Sequence, residues 1–271
     1  MKYDLRALTK QKGIRRKKIG FRKIEPTNAL VQLLAEPALR IPAFWQEYAA
    51  DRIEPLYAAA LSRLTKDDES GALEAAIAAA DSDARRLVIE ITAKIDAWAL
   101  RVERWHRDKF GAAVKAKTGI DPRLFLTTQD AAAQVAQSQQ WASGLIRDIS
   151  DASRRRIETI VYKGLMEQTP RKALAKEISE AVGIEKRRAM NIARDQTMKL
   201  AGNLDRLRQS EAGIDQFTWR HSGKVHLRPE HLARDGKVYR WDDPKLAGDL
   251  PRMKPNCGCG AEAFIDLEQE A

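Results

Sequence analysis

Residues 82–117 read SDARRLVIEITAKIDAWALRVERWHRDKFGAAVKAK, and this stretch decides the fold class. Its large apolar side chains follow one another at spacings of 3, 4, 3, 4 and 3 residues: Val88, Ile91, Ile95, Trp98, Val102 and Trp105. Such alternating spacings place side chains on one face of a helix. The stretch therefore predicts a helical rod of roughly 50 Å with a coiled-coil-like seam. Gly119, Asp121 and Pro122 predict its end.

A second long helix is predicted from Thr128 to Met166. Its apolar side chains fall on one helical face: Leu145, Ile146, Ile149, Ile157, Ile160 and Val161. The short turn between the two helices predicts an antiparallel hairpin, formed within one chain or between two chains. Trp98, Trp105 and Trp141 are then expected in the core rather than as a platform for nucleobases.

Helices are also predicted on both sides of this hairpin. Prolines divide the segment before it into short helices: Pro26, Pro37, Pro42 and Pro55. After the hairpin, Thr169-Pro170 predicts a helix start, because threonine is an N-cap residue and proline suits the first helical position. We expect this helix to end near Gly183 and another to run from Glu185 to Glu211.

The chain changes character at Gly213, where glycine, proline, histidine and cysteine become frequent. Short strands are predicted at residues 216–220, 238–241 and 261–266. The expected fold class is mainly α: a long helical hairpin or bundle, followed by a small, loop-rich α+β C-terminal module stapled by zinc. The predicted division is residues 1–23, 24–166 and 167–271, the last with helices to 212 and a loop and strand module over 213–271.

Positive charge is concentrated at the N-terminus. Residues 1–23 hold ten basic residues and one acid, Asp4, so they supply +9 of the formal net charge of +10. Such a block is expected to be a mobile arm that binds a polyanion and adds little to folding. The partner is DNA or an acidic protein surface, and a solvated tail is the alternative. The residues predicted to bind the polyanion are Arg15, Arg16, Lys17, Lys18, Arg22 and Lys23.

Composition excludes several classes of protein. No apolar run approaches the ~18 residues that a membrane-spanning helix needs, and no apolar stretch of a secretory signal follows the basic start. Cys257 and Cys259 are one residue apart, which is poor geometry for a disulfide, so a reducing compartment is expected. The sequence has no phosphate-binding loop, dinucleotide fingerprint or nucleophile elbow.

Thiols and imidazoles that can ligate a metal are clustered in the C-terminal module. The predicted zinc ligands, which would complete a tetrahedral site, are Cys257, Cys259, His231 and His226. Gly258 permits the tight turn that brings both sulfurs onto one ion. A structural zinc is expected, since a segment of ~50 residues with few large apolar side chains needs a staple. The alternative is a pair of reduced surface cysteines with scattered histidines.

No catalytic residue is assigned, because two neighbouring cysteines favour metal ligation over a cysteine nucleophile paired with His231. A zinc-dependent hydrolase is the minor alternative. The carboxylates available to it are equally ordinary turn residues: Asp235, Asp242 and Asp243. Arg228 is predicted to be a structural or partner-contact residue with Asp235 as its ion-pair partner, because its planar fork bridges carbonyl or carboxylate groups.

The motifs over about residues 165–265 resemble the phage head-morphogenesis family, also called Mu F-like minor head proteins. The stretches that carry the resemblance are Trp219, Leu227-Arg228-Pro229-Glu230-His231, Asp235-Gly236-Lys237 and Pro255-Asn256-Cys257-Gly258-Cys259. Family members show a tryptophan, an Arg-Pro-x-His element, a Gly-Lys turn and a closing Asn-Cys-x-Cys. Trp219 and Asn256 are accordingly expected to be structural or contact residues.

The sequence departs from the family pattern at two places. Lys224 and His226 stand where members often carry Asp-x-Arg, so His226 is expected to replace the aspartate as a ligand unless the site is purely structural. Asp195 and Gln196 stand where members commonly carry Thr-Glu, and this helix is expected to make different polar contacts.

The resemblance implies a minor head protein of a tailed bacteriophage, which acts in procapsid assembly near the portal and is retained in the virion with DNA. The implied partners are portal, scaffold or major capsid protein, with DNA bound by the arm and oligomers formed through the long helices. The implied location is the host cytoplasm during assembly and then the head interior or portal vicinity. The alternatives are a DNA-binding protein or metal-dependent nuclease in DNA packaging or processing, and a toxin or effector carried in the virion.

Overall fold

The structure, a computed structural model, describes residues 2–62, 70–223 and 228–268. The α-helices are α1 (Leu5–Gln11), α2 (Asn28–Tyr48), α3 (Glu54–Ser62), α4 (Ser70–Thr118), α5 (Ala132–Glu167), α6 (Arg171–Glu211) and α7 (Pro229–Ala233). A π-helical turn, Ala49–Ile53, joins α2 to α3. The strands are β1 (Lys18–Gly20), β2 (Gln216–Arg220), β3 (Val238–Arg240) and β4 (Gly260–Asp266). This mainly helical chain with a small α+β module confirms the predicted fold class.

The chain divides into two compact units. Unit 1 comprises Met1–Val31, Trp98–Ser138 and Arg194–Ala271, and unit 2 comprises Gln32–Ala97 and Gln139–Ala193. These units cut across the predicted division at residues 23 and 166, because α4, α5 and α6 each contribute residues to both units.

The predicted antiparallel hairpin of α4 and α5 is present within one chain. In unit 2, Gln139 Nε2 donates to the Asp96 carbonyl at 3.4 Å, and Arg154 lies 3.7 Å from Asp81. The earlier residue of α4 contacts the later residue of α5, which is the order that antiparallel helices require. Trp45 from α2 is fully buried and its indole Nε1 donates to Ser150 Oγ at 3.1 Å.

Three helices are longer than predicted. Helix α4 begins at Ser70, well before the predicted start near Ser82. Helix α6 continues through Gly183 over 41 residues. One glycine costs a helix ~1 kcal/mol, and burial of apolar side chains before and after Gly183 outweighs this cost. These side chains are Leu174, Ile178, Val182, Ala189 and Ala193. Helix α2 likewise contains Pro37 and Pro42. Trp141 is 57% exposed on α5, so the expectation that it lies in the core is wrong.

In the described part of unit 1, four strands form one antiparallel sheet in the order β1-β4-β2-β3. The strands alternate between a buried and a more exposed face. The buried residues of the sheet are Ile19, Phe217, Trp219, Ala261, Ala263 and Ile265. The buried face of the sheet packs on the core of unit 1. The sheet is therefore held in place, and so are the ends of the loops that leave its strands.

The prediction of a mobile N-terminal arm is wrong, because residues 2–23 contribute buried side chains to the core of unit 1. Leu5 from α1 is fully buried, and Ile19 and Phe21 are nearly so. Strand β1 pairs with β4, with Ile19 opposite Ile265. Sequence reasoning gave weight to the ten cations and overlooked the apolar residues spaced between them.

Replacing Ile19 with alanine is therefore expected to lower the free energy of unfolding by about 2–4 kcal/mol, because it leaves a cavity under the sheet. Urea denaturation followed by circular dichroism measures this loss. The control is Lys10→Ala on the exposed side of α1, expected to stay within about 0.5 kcal/mol of the wild type. Equal, small effects of both variants would restore the mobile-arm interpretation.

A buried ionic network joins α4, α6 and the loop before β4 inside unit 1. His106 Nε2 lies 2.8 Å from Asp205 Oδ1, and Arg208 donates to His106 Nδ1. Arg208 also donates to Glu103 Oε1 at 2.6 Å, and Arg252 donates to Asp205 Oδ2 at 2.9 Å. Since arginine has no acceptor, Nδ1 of His106 must accept, and its hydrogen is assigned to Nε2. The network thus requires a neutral imidazole.

Acid is expected to destabilise the protein through His106. Burial lowers the pKa of His106 in the folded protein, with Arg208 and Arg252 also opposing its charge. The unfolded chain therefore binds this proton more tightly, so the stability from neutral His106 is present above pH ~6.5 and is lost as the pH falls below it. Urea midpoints should drop between pH 7.5 and pH 5.5.

The variant His106→Gln keeps a donor and an acceptor but cannot titrate. Its urea midpoint should fall less than that of the wild type over the same pH range. If both proteins lose stability in parallel, the acid sensitivity comes from other groups.

Candidate metal centre

Helix α7 and the loop before β4 bring three of the predicted ligands together. His231 Nδ1 lies 3.6 Å from Cys257 Sγ and 3.5 Å from Cys259 Sγ. All three ligand atoms lie within 4.8 Å of one another, and the three residues are 2–4% exposed. His226, the fourth predicted ligand, lies outside the described residues.

These separations match a tetrahedral metal site. Bonds of about 2.3 Å to sulfur and about 2.05 Å to nitrogen, meeting at about 109°, place sulfur and nitrogen about 3.6 Å apart. The Cys-Gly-Cys turn and the imidazole are therefore spaced to share one ion. His231, Cys257 and Cys259 together can bind a metal.

The imidazole is oriented by a carboxylate on its far side. His231 Nε2 lies 3.0 Å from Asp249 Oδ1, and Arg234 donates to Asp249 Oδ2 at 2.8 Å. This arrangement assigns the ring hydrogen to Nε2 and leaves the Nδ1 lone pair facing both sulfurs. A carboxylate behind a ligating histidine is typical of metal sites, where it fixes the tautomer and raises the basicity of the ligand. The edge of Trp219 packs on the ring, with centroids 5.1 Å apart.

The surroundings of the sulfurs favour one thiolate, on Cys257, beside a thiol on Cys259. A hydrogen bond from the Cys259 thiol, with the backbone amides of Cys259 and Arg252, lowers the pKa of Cys257 to about 5. The pKa of Cys259 is raised because it shares its proton with Cys257 and is buried. Trp219 and the Ser222 backbone act in the opposite direction on Cys259. A cation at the site would hold both sulfurs ionised.

The indole of Trp219 fits this interpretation. Its buried Nε1 makes no hydrogen bond of ordinary geometry within the described ranges, yet it lies close enough to Cys259 to act on that thiol. The Trp219 side chain favours the ionised form of Cys259. A metal-bound thiolate is a stronger hydrogen-bond acceptor than a thiol. The indole N–H of Trp219 is therefore suited to a metal-bound sulfur of Cys259.

Helix α6 holds the loop that carries the cysteines. Asp195 Oδ1 accepts from the Asn256 backbone amide at 2.6 Å, and Lys199 lies 2.8 Å from Asp195 Oδ2. Asn256 has a φ of 57°, in the left-handed region that asparagine tolerates. Arg228 Nη2 donates to the Pro255 carbonyl at 3.0 Å from the α7 side. The turn is thus held from two elements.

The predicted ion pair between Arg228 and Asp235 is not formed, so that prediction is wrong. Asp235 Oδ1 instead accepts from the His221 backbone amide at 3.0 Å. The guanidinium of Arg228 donates to the Pro255 carbonyl instead, and a carbonyl was the other kind of partner predicted for it.

Sequence reasoning missed Asp249, Asp195 and Arg252 as residues that support the site. Asp249 lies 18 residues after His231 and Asp195 lies 61 residues before Asn256, so no spacing rule connects them. Asp195 did stand out as a departure from the family pattern, which was the one signal available.

The residues predicted to bind a polyanion fall into two groups. Three are close to carboxylates: Lys17 to Glu268 at 2.7 Å, Lys18 to Asp266 at 3.5 Å, and Lys23 to Glu25. Arg15, Arg16 and Arg22 are exposed, and no carboxylate of residues 2–62, 70–223 or 228–268 lies within ion-pair distance of them. The first group is therefore partly neutralised, and the second is available to a ligand.

The centre lies within a segment that is similar to a known protein family. Residues 155–262 match the family model described as Phage Mu protein F like protein. The resemblance stated from the motifs is thereby confirmed over this segment. The Mu F-like segment contains His231, Cys257 and Cys259, as well as Asp195 and Asp249.

The chain is also similar to an uncharacterized protein of Haemophilus influenzae. The two are 30% identical over 162 residues, which is 58% of this chain and 35% of the relative. The chain thus spans about a third of the length of the curated relative it matches. No solved structure matches the chain. Among the described residues, no helix combines the length and apolarity needed to cross a membrane.

Purified protein is expected to carry about one zinc per chain, because the three ligands are preorganised at tetrahedral spacing. Elemental analysis measures the metal, and a strong chelator should lower the melting temperature. His231→Ala should lose the zinc.

His221→Ala is the matched control, since this second histidine of the module bonds within its own loop and to Asp235. It should keep the zinc. Wild-type protein with far less than one equivalent, or unchanged melting after chelation, would contradict the metal centre.

Proposed function

We propose that this protein is a minor head protein of a tailed bacteriophage, acting in procapsid assembly. The observation that carries the proposal is the family match over residues 155–262, which includes the complete Cys-His cluster. We place its action near the portal, with portal, scaffold or major capsid protein as the direct partner. It then remains inside the head with DNA, after assembly in the host cytoplasm.

The metal in this proposal is zinc with a structural role. Its three described ligands are buried, and the carboxylate nearest to them, Asp249, is already engaged by His231 and Arg234. A catalytic zinc keeps an open position for water or substrate and a base nearby. A structural zinc is closed by four protein ligands, and we assign the fourth position to His226, as the sequence predicts. Burial of the other three ligands supports a staple that holds α7 against the loop before β4.

An enzymatic role is not part of the proposal. The minor alternative, a metal-dependent nuclease for DNA packaging or processing, needs a phosphate-accessible metal. Two open grooves of unit 2 are lined by helix residues and include none of the Cys-His cluster. The positively charged segment near the N-terminus supports nucleic-acid binding, which requires no reaction.

Heads purified from the parent phage should contain this protein in low copy, and a nonsense mutation in its gene should reduce the yield of filled heads. Quantitative mass spectrometry of procapsids and heads measures the first, and electron microscopy counts the second. The variant His231→Ala should be depleted from heads, while His221→Ala should be incorporated normally.

The proposal fails if the protein is missing from heads and heads fill without it. Incubation of the zinc-loaded protein with DNA and divalent cations tests the alternative, a metal-dependent nuclease. Cleavage that is lost in His231→Ala and kept in His221→Ala would establish the nuclease.

A further inference from the structure

The basic segment between α1 and β1 is anchored at both ends. Lys12 Nζ donates to the Gly119 carbonyl at 3.0 Å, and the Leu267 amide donates to the Lys17 carbonyl at 2.8 Å. Gly13, with a φ of 72°, turns the chain out of α1 and donates to the Lys10 carbonyl at 2.9 Å. The segment is therefore a fixed loop of unit 1, which costs little conformational entropy to bind.

This loop carries cations without acids. Residues 10–18 contain six basic residues and no Asp or Glu. Lys17 forms an ion pair with Glu268, and Lys18 forms one with Asp266. Lys12 donates a hydrogen bond to the Gly119 carbonyl. Its other cations are exposed, and no carboxylate in the described part of the chain lies within ion-pair distance of them: Lys10, Arg15 and Arg16.

The end of α4 adds cations beside the loop. The bond from Lys12 to Gly119 places the loop against the last turn of α4, which carries Lys115 and Lys117. Lys115 lies 3.6 Å from Asp121, whereas no described carboxylate lies within ion-pair distance of Lys117. The loop and the end of α4 are thus neighbours through Lys12 and Gly119, and each carries exposed cations.

The charge of the whole chain follows the same asymmetry. Unit 1 contains 30 basic and 19 acidic residues, a formal charge of +11, whereas unit 2 contains 18 and 19, a charge of −1. A neutral unit has no long-range attraction for a polyanion. The attraction is thus confined to the unit that carries the anchored loop.

We propose that Lys10, Arg15, Arg16 and Lys117 form a preformed surface that binds the phosphates of duplex DNA without sequence preference. The proposal rests on the proposed function, which places the protein with packaged DNA, and it names the residues that make this contact. A duplex presents a negative charge about every 1.7 Å along its axis, so several cations on one anchored loop and the neighbouring helix end can contact several phosphates at once. Arginine forks bind phosphate oxygens in pairs, which suits Arg15 and Arg16.

Two triple variants with equal loss of charge test the assignment. The first is Arg15→Gln, Arg16→Gln and Lys117→Gln, which removes cations that have no carboxylate partner. The second is Lys17→Gln, Lys18→Gln and Lys23→Gln, which removes cations that already face Glu268, Asp266 and Glu25. Thermal melting of both proteins establishes that they fold before binding is compared.

The probe is a random-sequence 30-base-pair DNA duplex, titrated by fluorescence anisotropy over a series of salt concentrations. Four phosphate contacts predict a log–log slope of binding constant against salt near −3.6 for the wild type, from about −0.9 per contact. The first triple variant should bind on the order of 100-fold more weakly at 0.1 M salt, with a slope shallower by about 2.7. The second should keep most of the affinity and the slope.

Equal losses in both variants would overturn the assignment, because net charge alone would then explain binding. A wild-type protein that does not bind the duplex, or that binds with a slope near zero, would overturn it as well, and the cationic surface would then face an acidic protein. Quantification of both variants in purified heads distinguishes the two proposals. Normal binding by the first variant, with the protein still present in heads, rejects the surface and leaves the head-protein proposal intact.

Discussion

The ion pair between Arg252 and Asp205 is the constraint on which the C-terminal module depends. Both side chains are almost wholly buried, 2.9 Å apart, and Arg252 also donates to the Ile24 carbonyl. Breaking such a pair on one side leaves an uncompensated charge in the core, which costs several kcal/mol. The loop approaches α6 so closely that a Cβ at Gly202 would lie 2.9 Å from the Arg252 Cβ. The ion pair therefore fixes the start of the loop segment that carries Cys257 and Cys259, and so limits where their sulfurs can lie.

The metal centre and the ionic network form one continuous arrangement. Asp205 of α6 holds Arg252, Asp195 of α6 holds Asn256, and Asp249 of the loop holds His231 of α7. These three carboxylates fix the loop just before the two cysteines. A metal bound by the folded arrangement and not by the unfolded chain would add stability to a small sheet with a modest core.

The sequence was sufficient for the helices and for the ligand types, but not for the residues that support them. Alternating spacings around Trp98 identified the α4 seam, and the Cys-Gly-Cys turn identified two ligands, because both signals are local. Asp249 and Asp195 are connected to the site only through tertiary structure, so no local rule could find them. The N-terminal segment was misread because its charge obscured the buried Leu5, Ile19 and Phe21. Ile19 and Phe21 are buried through the pairing of this segment with β4, more than 240 positions away.

The central claim is that Cys257, Cys259 and His231 share one metal ion. X-ray absorption spectroscopy of the full-length purified protein at the zinc edge tests it directly. The account predicts two sulfur ligands at about 2.3 Å and at least one imidazole nitrogen at about 2.0–2.1 Å. A spectrum with only oxygen and nitrogen ligands, or zinc bound without sulfur in the wild type, would contradict it.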